Sequence, residues 1–307
     1  GGFEVEQYNL WGLAHNARLK AVQSLKSTSG EYTYTMPELF GEEFDAFATA
    51  SFLRREEPAF TREEFGGGAG VSRRFRKIST DLSLRYNYQV LNASRRNVPP
   101  EDGLGKANVG SFILDARHDR RDNPLTPRSG YKVFTSLEVA SELLLGDVDF
   151  QRIETSASYH FDLTEIQWIH LGLSHGLVIT PGSPAENLPV NKRFYPGGDS
   201  SIRGFQYGEA TPRDQFGNLV GAETYTLATV EFEQGLTRAW SLVVFADTLG
   251  MARRIDHYPF DEWLYTVGGG IRWKTIIGPV RLEYGHNLNP REGDPSGTVH
   301  FSIGFPF

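Results

Sequence analysis

The 307-residue chain has no cysteine, which excludes disulfide scaffolds, Cys-ligated zinc, iron–sulfur clusters and thiol catalysis. It also lacks any run of 18 or more apolar residues, and its mean hydropathy is −0.38. No helical membrane span is encoded. Positive charge is in short supply: 31 Lys and Arg stand against 38 Asp and Glu, a net charge of −7, which argues against a broadly basic nucleic-acid surface. What is present is 13% aromatic residues and 33 glycines. That is too many aromatics for a disordered polar chain, and the composition leans towards β structure.

Apolar and polar residues alternate with period two in many segments, the signature of strands with one greasy and one wet face. In 81–90, Leu82, Leu84, Tyr86, Tyr88 and Val90 oppose Asp81, Ser83, Arg85, Asn87 and Gln89. In 152–161, Ile153, Thr155, Ala157, Tyr159 and Phe161 oppose Arg152, Glu154, Ser156, Ser158 and His160. The ending repeats the pattern, with Val299, Phe301, Ile303, Phe305 and Phe307 against His300, Ser302 and Gly304. Alternation alone fits either a soluble sandwich or a membrane barrel. Strand length and aromatic placement favour the barrel. Many segments reach the roughly ten residues a tilted strand needs to cross a bilayer. Aromatics gather near segment ends, and Arg, Glu and His occupy mid-strand positions that suit a water-filled lumen.

These patterns predict about fifteen strands, at 1–9, 13–27, 31–37, 44–56, 65–75, 78–92, 107–118, 131–143, 149–162, 166–179, 222–234, 239–248, 262–273, 278–285 and 297–306. The connections between them alternate between a short set and a longer set, as in bacterial outer-membrane barrels. The short set lies near 10–12, 40–43, 75–77, 123–130, 163–165, 235–238 and 275–278. The longer set includes 57–64, 91–106, 180–221, 249–261 and 286–296. Such barrels close on an even number of strands, so either a sixteenth strand lies ahead of Gly1, the favoured expectation, or one strand is miscounted. The expected fold class is all-β: a transmembrane antiparallel β-barrel of about 16 strands, occupying 1–307 as one domain, with its long loop folded into the lumen.

That longest loop carries Tyr195-Pro196-Gly197-Gly198-Asp199-Ser200-Ser201-Ile202-Arg203-Gly204-Phe205. The segment resembles the inward-folded sixth extracellular loop of the BamA and TamA family of outer-membrane assembly factors, whose tip reads Ile/Val-Arg-Gly-Phe/Tyr. Further matches follow in the same order along the chain. Asn9-Leu10-Trp11-Gly12 is similar to the family's turn after its second strand, and 119–130 (Asp-Arg-Arg-Asp-Asn-Pro-Leu-Thr-Pro-Arg-Ser-Gly) to its Arg-Asp-Asn, Pro and Gly turn. Residues 245–250 resemble its Phe-x-Asp-x-Gly strand with one residue more before the glycine; 278–285 and 299–307 fit its last two strands.

The chemistry of the tip can be read independently. With Ala228, Val230 and Phe232 outward, Glu231 points inward; with Leu242, Val244 and Ala246 outward, so does Asp247. A guanidinium can pair bidentately with a carboxylate, so a loop folded inward would bring Arg203 to these acids. Alternatively, Glu231 and Asp247 simply solvate a lumen beside Arg272 and Arg281. The resemblance implies the first arrangement: Ile202, Arg203, Gly204 and Phe205 form a loop latch, and Glu231 and Asp247 are its acceptors on the barrel wall. In a wet lumen, breaking such a pair would cost less than the roughly 3–5 kcal/mol of a buried one.

Other constellations point to no catalysis and no cofactor. Gly198-Asp199-Ser200 lacks the strand-turn-helix elbow of a hydrolase nucleophile. Gly66-Gly67-Gly68-Ala69-Gly70 lacks the Lys-Ser/Thr of a phosphate loop and reads as a strand of small residues. The eight histidines are scattered without metal-ligand spacing, and the charges of 115–122 lack calcium-loop spacing.

The resemblance implies a non-enzymatic bacterial outer-membrane protein that inserts other barrels, or translocates polypeptides, through a lateral seam between its first and last strands. The last strand would present Val299, Phe301, Ile303, Gly304 and Phe307, with Gly304 and Pro306 weakening its edge. Expected partners are the outer-membrane lipid bilayer, unfolded β-barrel or secreted polypeptide clients, and accessory lipoprotein or periplasmic proteins, with no nucleic acid. Periplasmic POTRA domains are expected upstream. Alternative roles on the same fold are a two-partner secretion transporter, the barrel anchor of an N-terminal patatin-type lipase, and a passive porin.

Overall fold

A computed structural model describes residues 1–41, 43–95, 104–181, 188–258 and 260–306. Fifteen strands follow one another in chain order, each hydrogen-bonded to the next: β1 (Gly2–Leu10), β2 (His15–Gln23), β3 (Ser27–Met36), β4 (Asp45–Glu56), β5 (Thr61–Phe75), β6 (Thr80–Ser94), β7 (Gly105–Asp119), β8 (Gly130–Ala140), β9 (Phe150–Thr164), β10 (Gln167–Ile179), β11 (Thr224–Gly235), β12 (Trp240–Ala252), β13 (Glu262–Thr275), β14 (Gly278–Asn287) and β15 (Gly297–Ile303). The described helical residues form single 3-10 turns, such as Arg76–Ile78 and Val190–Lys192. Among the described residues, no helix is long and apolar enough to cross a membrane, so the strands are the elements that can.

Two compact units divide the chain. In the first, built from Gly1–Arg117, Thr135–Ile153 and Val178–Arg193, β1 to β6 form an antiparallel meander. The small-residue run Gly66 to Gly70 lies within β5, as its composition predicts. Leu82 and Leu84 on β6 are exposed, while Arg85 on the opposite face pairs with Asp115, whose other oxygen accepts from Ser136 at 2.6 Å.

In the second unit, built from His118–Phe134, Glu154–Leu177 and Phe194–Phe307, β10 to β15 continue the same up-and-down pairing. Its burial is inverted relative to a water-soluble sheet. Val230, Val244 and Phe301 are exposed by 53%, 57% and 72%, whereas Glu231, Arg272 and Glu283 are buried to 1% or less. A face of Val, Leu, Ile and aromatic side chains with charges on its reverse is stable only where the outer medium is apolar. Trp240 and Trp273 stack at 5.9 Å near the short turns, and Trp263 stacks on Tyr265 at 6.5 Å near the far end of β13. Trp263 and Trp273 are ten steps apart on one strand. At about 3.3 Å per residue that is roughly 33 Å, or about 25 Å along the membrane normal at a tilt of about 40°, the height of an outer-membrane apolar band.

Three sequence expectations change. β2 ends at Gln23 and β3 begins at Ser27, because Ser24 closes a tight turn by donating its backbone N–H to the carbonyl of Ser27 at 2.7 Å; a single strand over 13–27 does not form. The connection expected at 57–64 is confined to 57–60, since β5 starts at Thr61. The short-and-long alternation is therefore clear only in the C-terminal half, where 165–166, 236–239 and 276–277 face 180–223, 253–261 and 288–296. Finally, β15 stops at Ile303 rather than 306. Gly304 adopts φ +109°, and this left-handed step rotates the chain so that Phe305 leaves the outer face of Val299, Phe301 and Ile303. Its ring packs edge-on against His160 and His170, at 5.5 and 5.0 Å, and lies 5.3 Å from the Arg272 guanidinium. Phe307 lies outside the described residues.

Candidate functional site

The register of the second unit sets inner-face side chains in rows, because directly opposed residues of antiparallel strands share a face. Thr229, Asp247, Thr266 and Asn287 form one row across β11 to β14. Glu231 and Phe245 begin the next, which continues through Gly268 and Gly285 to Thr298 on β15. Glu283 and His300 share a third, and Arg272, Arg281 and Ser302 a fourth.

The loop segment Ile202–Phe205 sits on these rows, with Ile202, Arg203 and Phe205 buried to 1% or less. The Arg203 guanidinium donates from Nε to Asp247 Oδ2 at 2.9 Å and from Nη2 to Asp247 Oδ1 at 2.6 Å, a two-point fork. Nη1 donates to Glu231 Oε1, and to Glu283 Oε2 at 3.4 Å. The Arg203 backbone N–H also reaches Asp247 Oδ2, at 3.1 Å. The guanidinium lies over the Phe245 ring at 3.4 Å, a cation–π contact that supports it from the wall side.

The carbonyls of the tip are satisfied by the last two strands. Arg203 O accepts from His300 Nε2 at 2.8 Å, which fixes the proton on that nitrogen. Gly204 O accepts from Thr298 Oγ1 at 2.9 Å and Asn287 Nδ2 at 3.0 Å. Gly204 is required by this close approach: a Cβ there would overlap the Asn287 amide and the Thr266 methyl.

Around Arg203 the wall is itself cross-braced. Arg272 donates to Glu283 at 2.8 and 2.9 Å, to Glu231 at 2.9 and 3.0 Å and to Glu233 at 3.1 Å. Arg281 reaches Asp199 Oδ2 at 2.9 Å, a second tie to the loop. Three guanidiniums thus face four buried carboxylates, Glu231, Glu233, Asp247 and Glu283. His170 Nε2 stands 3.6 Å from Glu233, and its Nδ1 is 2.9 Å from Nδ1 of His160. Of the two arrangements left open by the alternation, the one with the loop contact is present: Glu231 and Asp247 both receive Arg203, and Glu231 pairs with Arg272 as well.

At the outer end the loop is tied down by Arg291, which donates to Asp294 at 2.6 Å, to Glu262 at 3.0 Å and to the carbonyl of Thr211 at 3.0 Å. Burial alone would raise the Asp294 carboxyl, but the Arg291 guanidinium overrides it and holds Asp294 below its ordinary value. Phe194 and Ala222 exchange both backbone hydrogen bonds at 2.8 Å, closing the loop's neck.

Sequence reasoning brought Arg203, Glu231 and Asp247 together, and they do meet. It missed Glu233, Glu283, Thr298, His300 and Asn287. All five have an inward position by the same alternation, so the signal existed for their orientation but not for their partner. Of the residues expected on a seam strand, Val299, Phe301 and Ile303 lie on β15 and are exposed, whereas Gly304 lies beyond its end. Among the described residues, no group of three His, Cys, Asp or Glu side chains converges to hold a metal ion.

Residues 9–307 match the Omp85 superfamily domain. The outer membrane protein assembly factor BamA of Nitratidesulfovibrio vulgaris is 25% identical over 98% of the chain, and that of Neisseria meningitidis serogroup B is 22% identical over 99%. The chain spans 39% and 44% of the length of those two relatives. Among solved structures, BamA from Haemophilus ducreyi lacking POTRA domains 1–3 superposes with a TM-score of 0.82 at 15% identity, covering 98% of this chain and 66% of that one. CdiB from Acinetobacter baumannii superposes at 0.60 and 14% identity, covering 99% and 56%. The fold is therefore that of an antiparallel transmembrane β-barrel of the bacterial outer membrane, and the chain belongs to the Omp85 superfamily.

Proposed function

We propose that this chain is the barrel of an outer-membrane factor that assembles other β-barrel proteins, and that Ile202, Arg203, Gly204 and Phe205 form a latch fastening the long loop to the wall. The observation that carries this reading is the set of bonds from one loop residue to the C-terminal strands. Arg203 engages carboxylates on β11, β12 and β14, and its carbonyl is held by β15. A loop tip bonded to the last strand sets the position of that strand's edge.

The reaction this serves is strand exchange rather than bond chemistry. An open strand edge in an apolar medium leaves N–H and C=O groups unpaired, at several kcal/mol each, and an incoming strand satisfies them by β-augmentation. β15 is suited to yield because it has seven residues against fourteen in β13; a short strand carries few ladder bonds. Outward-facing Val299, Phe301 and Ile303 keep that edge in the lipid layer. Client strands would belong to other outer-membrane proteins, whose assembly the BamA relatives' name describes, delivered by upstream periplasmic domains.

A second reading is polypeptide translocation through the barrel, as in a two-partner secretion transporter; assembly is put first because relatives matching nearly the whole chain carry the name of an assembly factor. The deciding experiment introduces Arg203→Ala into the native gene under depletion of the wild-type copy. Assembly should fall, seen as loss of heat-modifiable migration of other barrel proteins and increased antibiotic entry. Unchanged assembly at normal protein level would overturn the latch, and secretion loss with intact assembly would select translocation.

A further inference from the structure

We propose that Lys192 is a second anchoring residue for the same loop, fastening its entering arm to the wall at β6 and β8 and keeping it seated there when the Arg203 bonds are broken. The inference rests on the latch reading above and adds a residue that the loop motif does not contain.

The arm preceding the Phe194–Ala222 neck is sequestered like protein core. Leu188 is 1% exposed, and Val190, Asn191 and Lys192 are each below 10%. A buried ammonium is costly unless its three donors find partners. Lys192 Nζ donates to Glu138 Oε1 on β8 at 2.7 Å and to Gln89 Oε1 on β6 at 3.0 Å, and lies 5.6 Å from the centre of the Phe150 ring on β9. Glu138, itself buried, also accepts from Ser111 Oγ on β7 at 3.0 Å. The backbone adds a further tie, since Lys192 O accepts from Arg152 Nε at 3.1 Å. Next to it, Asn191 Nδ2 donates to Glu64 Oε1 on β5 at 2.9 Å, and Glu64 is in turn held by Arg62.

One short segment thus makes hydrogen bonds or ring contacts with β5, β6, β8 and β9, and β7 supports it through Ser111, which bonds its partner Glu138. The Arg203 set uses β11, β12, β14 and β15, and the two sets share no residue. Removing either set leaves the other intact, so the tip can release while the arm stays seated. Truncating one side of a buried charged pair abandons the other charge without a partner, which makes the Lys192 contact hard to break by thermal fluctuation alone.

The test uses the full-length protein purified from outer membranes and read by conductance in planar bilayers, with heat-modifiable migration as the folding check. Arg203→Ala alone should raise conductance only slightly, because the arm stays bonded to β6 and β8. Lys192→Met with Arg203→Ala should raise it several-fold, towards the value of a variant lacking residues 188–221. Exchanging the partners, Lys192→Glu with Glu138→Lys, should bring the double-release phenotype back towards that of Arg203→Ala. If the double variant does not reach the membrane folded, Glu138→Gln with Asp247→Asn is the milder pair read in the same way. Arg203→Ala alone matching the loop deletion, or Lys192→Met adding nothing to it, would overturn the second anchor. Assembly of other barrels is scored separately in the same strains, so failure of the assembly reading leaves the conductance result interpretable.

Discussion

Arg203 is 1% exposed, so the pairs it makes are dry rather than solvated by an open lumen. The wet-lumen expectation of a small effect is therefore replaced by the range for a broken buried pair, about 3–5 kcal/mol. Arg203→Ala should lower the temperature at which the compact, fast-migrating form converts on gels. Arg203→Lys should be nearly as damaging, because an ammonium cannot span the two Asp247 oxygens and Glu231 together. Asp247→Asn should be milder, since Thr229 Oγ1 still donates to Oδ1 at 2.9 Å. Gly204→Ala should match Arg203→Ala without touching a charge, as its Cβ displaces the tip from Asn287. Asp294 supplies a pH dependence. Its folded value is depressed, so its contribution is present above the unfolded carboxylate value of roughly 4 and is lost as pH falls through the lower folded one. Acidification through that window should loosen the Arg291 tie, and Asp294→Asn should abolish that part of the pH dependence in a thermal conversion series.

At the scale of strands, alternation made the inner and outer faces of β11 and β12 legible, including Glu231 and Asp247, because period two is a local property of extended chain. It could not reveal where extension stops. The pattern Val299, Phe301, Ile303, Phe305 reads as one face only while every residue stays extended, and Gly304 at φ +109° breaks that condition. The Lys192 anchor was invisible for a related reason: a single 3-10 turn inside a loop has no period, and its partners come from strands up to 127 residues away in sequence. Gly304→Ala should place a Cβ in a disfavoured backbone region at about 1–3 kcal/mol and loosen Phe305 from the histidine pair. Gly30→Ala on β3, where a Cβ meets nothing within 4 Å, is the matched control and should change little. Thermal conversion of both variants checks the contrast. Val244→Arg, on the outer face of β12, should cost about 2–4 kcal/mol if that position lies near the bilayer midplane, measured by denaturant unfolding from lipid vesicles.

For the molecule as a whole, the membrane assignment rests on a burial pattern that a soluble protein could not sustain, and the five tryptophans allow it to be checked. Trp240, Trp263 and Trp273 are exposed by 44–47% on the outer face, whereas Trp168 is 4% exposed and lies beneath the cations of Arg128 and Lys274, 4.9 and 4.7 Å from its ring. If the outer face meets lipid, single-tryptophan variants keeping Trp240, Trp263 or Trp273 should be quenched by lipids brominated along the acyl chain. The variant keeping Trp168 should not. The depth profile discriminates further: Trp263 and Trp273 mark opposite ends of one tilted strand, so both should quench most strongly with bromines close to the headgroup and weakly with bromines at the chain end. Deep quenching of either one, or strong quenching of Trp168, would mean that the sheet sits at another height or tilt. The Trp263–Trp273 span of about 25 Å would then not be the apolar band.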